Sequence, residues 1–165
     1  MFYMGREANE AASLSWACGP MEFEYHIDTE KGFITEWFRG EICLEDICVA
    51  LQIVQADPHY DPHFNGLVDL QEAMLEIRFA DMMRLLDKQV DSPRTSKGRW
   101  AFIATDPNNY GTMRMYKSVT DVPLGLEVNL FTTEEEALAW CASLGGGAAR
   151  RKKADGSGGA AGESI

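Results

Sequence analysis

The chain lacks a membrane-spanning run, a basic surface and a catalytic signature, and each absence removes a class of function. No stretch of about 18 uncharged apolar residues occurs, so no spanning helix is expected. Fifteen lysines and arginines stand against 26 acidic residues, a net charge of −11. Such a surface repels phosphate backbones and anionic headgroups, and nucleic-acid binding is not expected. The four cysteines, at 18, 43, 48 and 141, form no CxxC pair and have no companions at metal spacing. They are expected to be reduced, packed thiols in a cytoplasmic protein. There is no G-x-S-x-G elbow, and no phosphate-cradling glycine loop follows a strand. His26 falls inside a strand-like alternation and reads as an ordinary strand residue, not a base. Nothing pairs a nucleophile with a base, so the expectation is a chain that is not an enzyme and carries no cofactor.

What is present builds a core. Of the 165 residues, 45% are hydrophobic and 10% aromatic, enough for one globular domain. Residues 1–20 show no regular patterning and are expected to be a disordered extension, with Met21 as an alternative start. Residues 145–165, rich in glycine and alanine around the basic cluster Arg150 to Lys153, are expected to be a disordered tail. Residues 1–20 hold one arginine and two glutamates, and the tail four basic and two acidic residues. Removing both from −11 leaves −12 on residues 21–144. The acidity belongs to the domain.

Inside 21–144 the hydrophobic period switches between two and about 3.6. Glu22 to Ile27 alternates as a half-buried strand does, Asp28-Thr29-Glu30-Lys31-Gly32 supplies turn residues, and Phe33 to Phe38 is the second strand of a hairpin. Leu44, Ile47, Cys48, Leu51 and Val54 stripe an amphipathic helix over 44–56. Gly66 to Leu70 is a short buried strand, and Phe79, Met82, Met83, Leu86 and Val90 mark the next helix. Trp100 to Thr105 is the fourth strand. Asp106-Pro107 then starts a helix, the aspartate as N-cap and the proline where its missing N–H costs nothing. Glu127 to Phe131 is the fifth strand, and Thr133 with Glu136 forms a capping box for a last helix lined by Ala137, Leu138, Cys141 and Leu144. The order β-β-α-β-α-β-α-β-α predicts one α/β domain with a mixed, mostly parallel five-stranded sheet, the hairpin at its antiparallel edge and about four helices.

The opening hairpin, the helix ending in Ala56-Asp57-Pro58, the strand "GLVDL", the segment Thr105 to Tyr116 and the ending Phe131 to Trp140 occur in an order that resembles the SpoIIAA-like family. That family is the branch of bacterial STAS-type domains named for the anti-sigma-factor antagonist, and the resemblance covers residues 21–144. It implies a non-catalytic α/β domain, with lipid or small-ligand binding suggested for folds of this kind. The antagonist's phosphorylated serine, at the start of the helix after the third strand, has no counterpart. No serine or threonine occurs from Glu36 through Asp91, so the phosphoswitch does not carry over.

Two stretches nominate themselves as sites. In "DPHYDPHF", residues 57–64, Pro58 and Pro62 exclude a helical two-histidine motif. An extended chain would place Asp57, His59, Asp61 and His63 on one side, so His59 and His63 are weak metal candidates in what reads mainly as a loop. The other stretch is the carboxyl end of the parallel sheet, where loops and helix N-termini gather, particularly where strand order reverses. Asp69 and Gln71 are expected to end the third strand there, and Asp106, Asn108, Asn109 and Tyr110 to follow the fourth, with Arg114 one helical turn on to meet a carboxylate or phosphate. The function expected is a binding or regulatory module that docks a protein partner or a small apolar or amphiphilic ligand. The alternatives are an enzyme using that crevice, or a structural homodimer joined through a sheet edge.

Overall fold

Turn chemistry and alternation set the first layer of the fold. A computed structural model describes residues 19–121 and 123–143. The expected extensions 1–20 and 145–165 lie outside those residues, apart from Gly19 and Pro20. The elements are β1 (Met21–Asp28), β2 (Phe33–Ile42), α1 (Leu44–Ala56), β3 (Asn65–Leu75), α2 (Phe79–Val90), β4 (Arg99–Ile103), α3 (Pro107–Thr120), β5 (Glu127–Phe131) and α4 (Glu134–Ala142). Their order is the one the sequence predicts. In the β1–β2 turn the Asp28 carboxylate accepts the Lys31 amide at 3.0 Å, and Gly32 takes a left-handed φ of 62° that favours glycine.

The five strands lie side by side in sequence order, β1 antiparallel to β2 and the rest parallel. Parallel crossovers are right-handed, and a strand order that only advances puts every crossover helix on the same face. The core obeys this. Val54 of α1, Met82 and Leu85 of α2 and Met113 of α3 pack with Ile34, Phe38, Val68, Leu70, Trp100 and Val128 of the sheet. The opposite side chains of β3 and β4, Leu67, Ala101 and Ile103, pack with Ala137 and Cys141 of α4. Because the order never reverses, the sheet has no switch point, and the topological reason for favouring its carboxyl end falls away.

Two strands run further than the sequence suggests. β2 continues to Ile42 and β3 to Leu75, paired beyond a bulge in which Leu70 and Gln71 stand opposite Phe38. The extra residue restores the alternation, so Ala73 and Leu75 return to the core while Met74 faces out. Asp69 and Gln71 therefore sit inside the strand and not at its end. The thiol expectation holds for Cys48 and Cys141, which are free. It fails at Cys43, which is disulfide-bonded. At Cys18 the expectation lies outside the described residues. Among the described residues no helix is long and apolar enough to cross a membrane.

Candidate functional site

Of the residues nominated at the carboxyl end of the sheet, Asp69, Asp106, Asn108 and Asn109 are engaged in holding the backbone. β4 pairs with β3 only from Gly66 to Asp69, so the same edge of β3 beyond that point has lost its ladder. Asparagine side chains replace it. Asn109, 1% exposed, donates through Nδ2 to the carbonyls of Leu70 at 3.3 Å and Ala73 at 2.7 Å, and its Oδ1 accepts the Leu75 amide at 3.0 Å. Asn108 donates to the Leu75 carbonyl at 3.1 Å. Asp106 caps α3 by accepting the amides of Asn108 at 2.9 Å and Asn109 at 3.1 Å, as the sequence predicts. Asp69 accepts the Gln71 amide, which the bulge leaves out of the ladder, at 2.9 Å. Tyr110 is half-buried and Arg114 exposed on α3. The first turn of α2, Phe79-Ala80-Asp81-Met82, offers no hydroxyl.

The "DPHYDPHF" stretch is two consecutive turns and not an extended run. The Asp57 carboxylate accepts the His59 amide at 2.8 Å, and Asp61 accepts the His63 amide at 2.8 Å. Each imidazole Nδ1 lies against the same oxygen, at 3.1 Å and 2.9 Å. Asp57 also accepts the Tyr25 hydroxyl at 3.0 Å. The two histidines are thus directed each to its own aspartate, because the X-Pro bonds turn the chain between them. Among the described residues no three His, Cys, Asp or Glu side chains gather as a cation site.

The cavity lies elsewhere, between the sheet and the three crossover helices. Its volume is about 100 Å³, and its walls come from β2, β3 and β4 beneath and from α1, α2 and α3 above. Most of the lining is apolar, with Phe38, Val54, Leu70, Met82, Trp100 and Met113 prominent. One carboxyl group enters it. Glu36, on β2, is 5% exposed, and its Oε1 has no hydrogen-bond partner among the described residues. Burial pushes its pKa from the ordinary 4.5 up to about 8, because the charged form loses its hydration. At neutral pH the cavity therefore holds a protonated acid. Three neighbouring donors are already committed: the Tyr60 hydroxyl to the Arg94 carbonyl at 2.7 Å, the Tyr116 hydroxyl to Gln89 Oε1 at 3.3 Å, and the Trp100 indole N–H to Ser96 Oγ. Burial, with a smaller contribution from Glu36, raises both tyrosines to about 12.

Sequence reasoning missed Glu36. Thr35-Glu36-Trp37 reads as a polar pair beside a large aromatic, which suggests that the tryptophan is inside. The parity of Ile34 and Phe38, both core residues, carried the contrary signal.

No family model matches the chain, and no curated protein sequence does. Among solved structures, one similar chain is an uncharacterized protein of the DUF3478 family with a SpoIIAA-like fold from Shewanella loihica PV-4. It shares 15% identity and a TM-score of 0.49, over 76% of this chain and 98% of that one. The fold named there is the one the sequence resembles. The fold of this chain rests on its own strand order and register.

Proposed function

We propose that this chain is a non-catalytic binding module that takes a small apolar or amphiphilic molecule into the space between its sheet and α1, α2 and α3. The observation that carries the reading is the cavity itself. Apolar cavities of roughly 150 Å³ are known to stay dry and admit benzene, and this one is of the same order. A chain that only needed stability would gain by closing it, since residual cavity volume costs about 24 cal/mol per Å³. The polar residues at the sheet's carboxyl end support the same reading indirectly, because their hydrogen bonds hold the roof of the cavity in place.

The test is titration of the full chain with toluene and isoamyl alcohol, followed by the methyl resonances of Met82 and Met113. Both probes should shift those signals in the wild type and leave them unmoved in Ala50→Leu, which fills the space from α1. Equal responses in the two proteins would defeat the reading. A second reading, docking of a protein or a second copy, draws on the exposed Phe79, Met83 and Val90 along one side of α2 and on Met74 at the end of β3. Light scattering that finds a monomer would remove the homodimer form of it.

A further inference from the structure

The cavity wall has a charge character that selects among ligands. Among the described residues its lining includes no lysine, arginine or histidine. An anionic amphiphile entering it would bury its charge beside an unpaired carboxyl, with no cation in the wall to offset the lost hydration. Besides the Glu36 proton and the amide N–H groups of Gln55 and Gln89, the polar atoms left over for an occupant are acceptors. The buried hydroxyl of Tyr116 donates to Gln89, so its oxygen presents lone pairs, and Glu36 presents a carboxyl whose Oε1 receives no donor from the described residues. Gln55 and Gln89 are neutral. A buried acceptor without a donor is costly, and the cost is removed by a ligand that brings one.

We infer that the ligand is a small apolar primary amine whose ammonium group sits on the Glu36 carboxylate while its hydrocarbon part fills the space between sheet and helices. The inference rests on the cavity reading and deepens it. An ammonium group brings three N–H donors and a positive charge, so it satisfies the glutamate and has donors left for a buried oxygen such as that of Tyr116. A neutral alcohol brings one donor and no charge. At roughly 20 Å³ per heavy atom the cavity of about 100 Å³ holds about five heavy atoms, and about six with some give in the walls. The surface favours the same sign of ligand, because residues 21–144 carry a net charge of −12 once the terminal segments are subtracted from −11.

Binding has a proton signature. Tyr25 faces Glu36 from β1, Tyr60 from the loop after α1 and Tyr116 from α3. All three are pushed up to about 12 and stay neutral below that. Glu36 is then the group that responds. It holds its proton near pH 7 and releases it to solvent when the ammonium arrives, because a charge partner restores the ionised form.

The experiment compares isoamylamine, isoamyl alcohol and isovalerate, three probes of one shape, against the full chain and Glu36→Gln by calorimetry near pH 7 in phosphate and in Tris. The amine should bind the wild type at least about tenfold more tightly than the alcohol, which is roughly 1.4 kcal/mol. About one proton should leave per amine bound, read from the difference between the buffers. Isovalerate should not bind. In Glu36→Gln the amine's advantage and the proton release should both vanish while the alcohol binds as before, and this retained binding also shows that the variant is folded. If the alcohol binds and the amine binds no better, the amine inference falls and the cavity reading stands. If none of the three binds, the cavity reading itself falls.

Discussion

Glu36 sits between Tyr25 of β1 and Val68 of β3, in the middle of a hydrogen-bonded sheet, so its carboxyl cannot swing to solvent without breaking the ladder. A group held this way writes its protonation into stability. Its folded pKa, about 8, lies above the ordinary 4.5, so folding favours the protonated form. That contribution is whole below about 4.5 and is lost as pH rises toward and through about 8, where the folded chain must at last ionise the buried group. The loss is on the order of 5 kcal/mol at most, at about 1.4 kcal/mol per pH unit across that window. Urea unfolding at pH 5 and pH 8.5 should therefore show a fall in wild-type stability that Glu36→Gln largely abolishes. Parallel pH profiles for the two proteins would show that the carboxyl is solvated. The same residue marks the limit of what the sequence could tell. Alternation said that β2 has two faces; Ile34 and Phe38 argued for one as the interior and Trp37 for the other, and the neighbours on the other strands decide between them.

At the scale of the element, the strands and helices were legible because each is a run of one period bounded by turn residues or caps. Asp106-Pro107 and Thr133 begin helices as expected, with Thr133 Oγ1 accepting the Glu136 amide at 3.4 Å. The second half of β3 was not legible. Gln71 and Glu72 read as the end of a strand, yet the chain continues because β2 pairs with it through Ile42↔Leu75 and because Asn109 satisfies its other edge. That satisfaction comes from a residue 34 positions away, and no local pattern announces it. Asn108 and Asn109 were singled out as ligand candidates, and the partners the structure gives their side chains are the backbone groups of β3. Truncating Asn109 should be severe. Asn109→Ala strands the buried Leu75 amide and two carbonyls, at an expected cost of about 3 kcal/mol in urea unfolding with little change in m. Asn108→Ala, which loses a single contact nearer the surface, should cost about 1 kcal/mol. Equal and small effects would mean that water replaces the side chains freely.

Across the whole molecule, the advancing strand order leaves the two sheet faces unequal. Three helices cover one face, α4 covers part of the other, and the β1–β2 side of that second face carries Glu22, Glu24, Trp37 and Arg39 toward solvent. Arg39 is the charge that organises it. Its guanidinium lies 2.8 Å from Glu72 on β3, and 3.6 Å and 3.8 Å from Glu22 and Glu24 on β1, so one cation serves carboxylates on both neighbouring strands. Each exposed pair alone contributes little. In a domain this acidic, however, the larger effect is the repulsion that remains when the cation is removed. Screening acts on repulsion and attraction with opposite signs. At a Debye length of about 10 Å in 0.1 M salt, the long-range repulsion among carboxylates fades before the contacts at Arg39 do. The wild-type Tm should therefore rise by a few degrees as NaCl is increased from about 20 mM to about 500 mM. Arg39→Gln should start a few degrees below the wild type at low salt and approach it at high salt, since the repulsion among Glu22, Glu24 and Glu72 is then screened. A wild-type Tm that falls with added salt would mean that attractive pairs such as those at Arg39 outweigh the repulsion among the carboxylates.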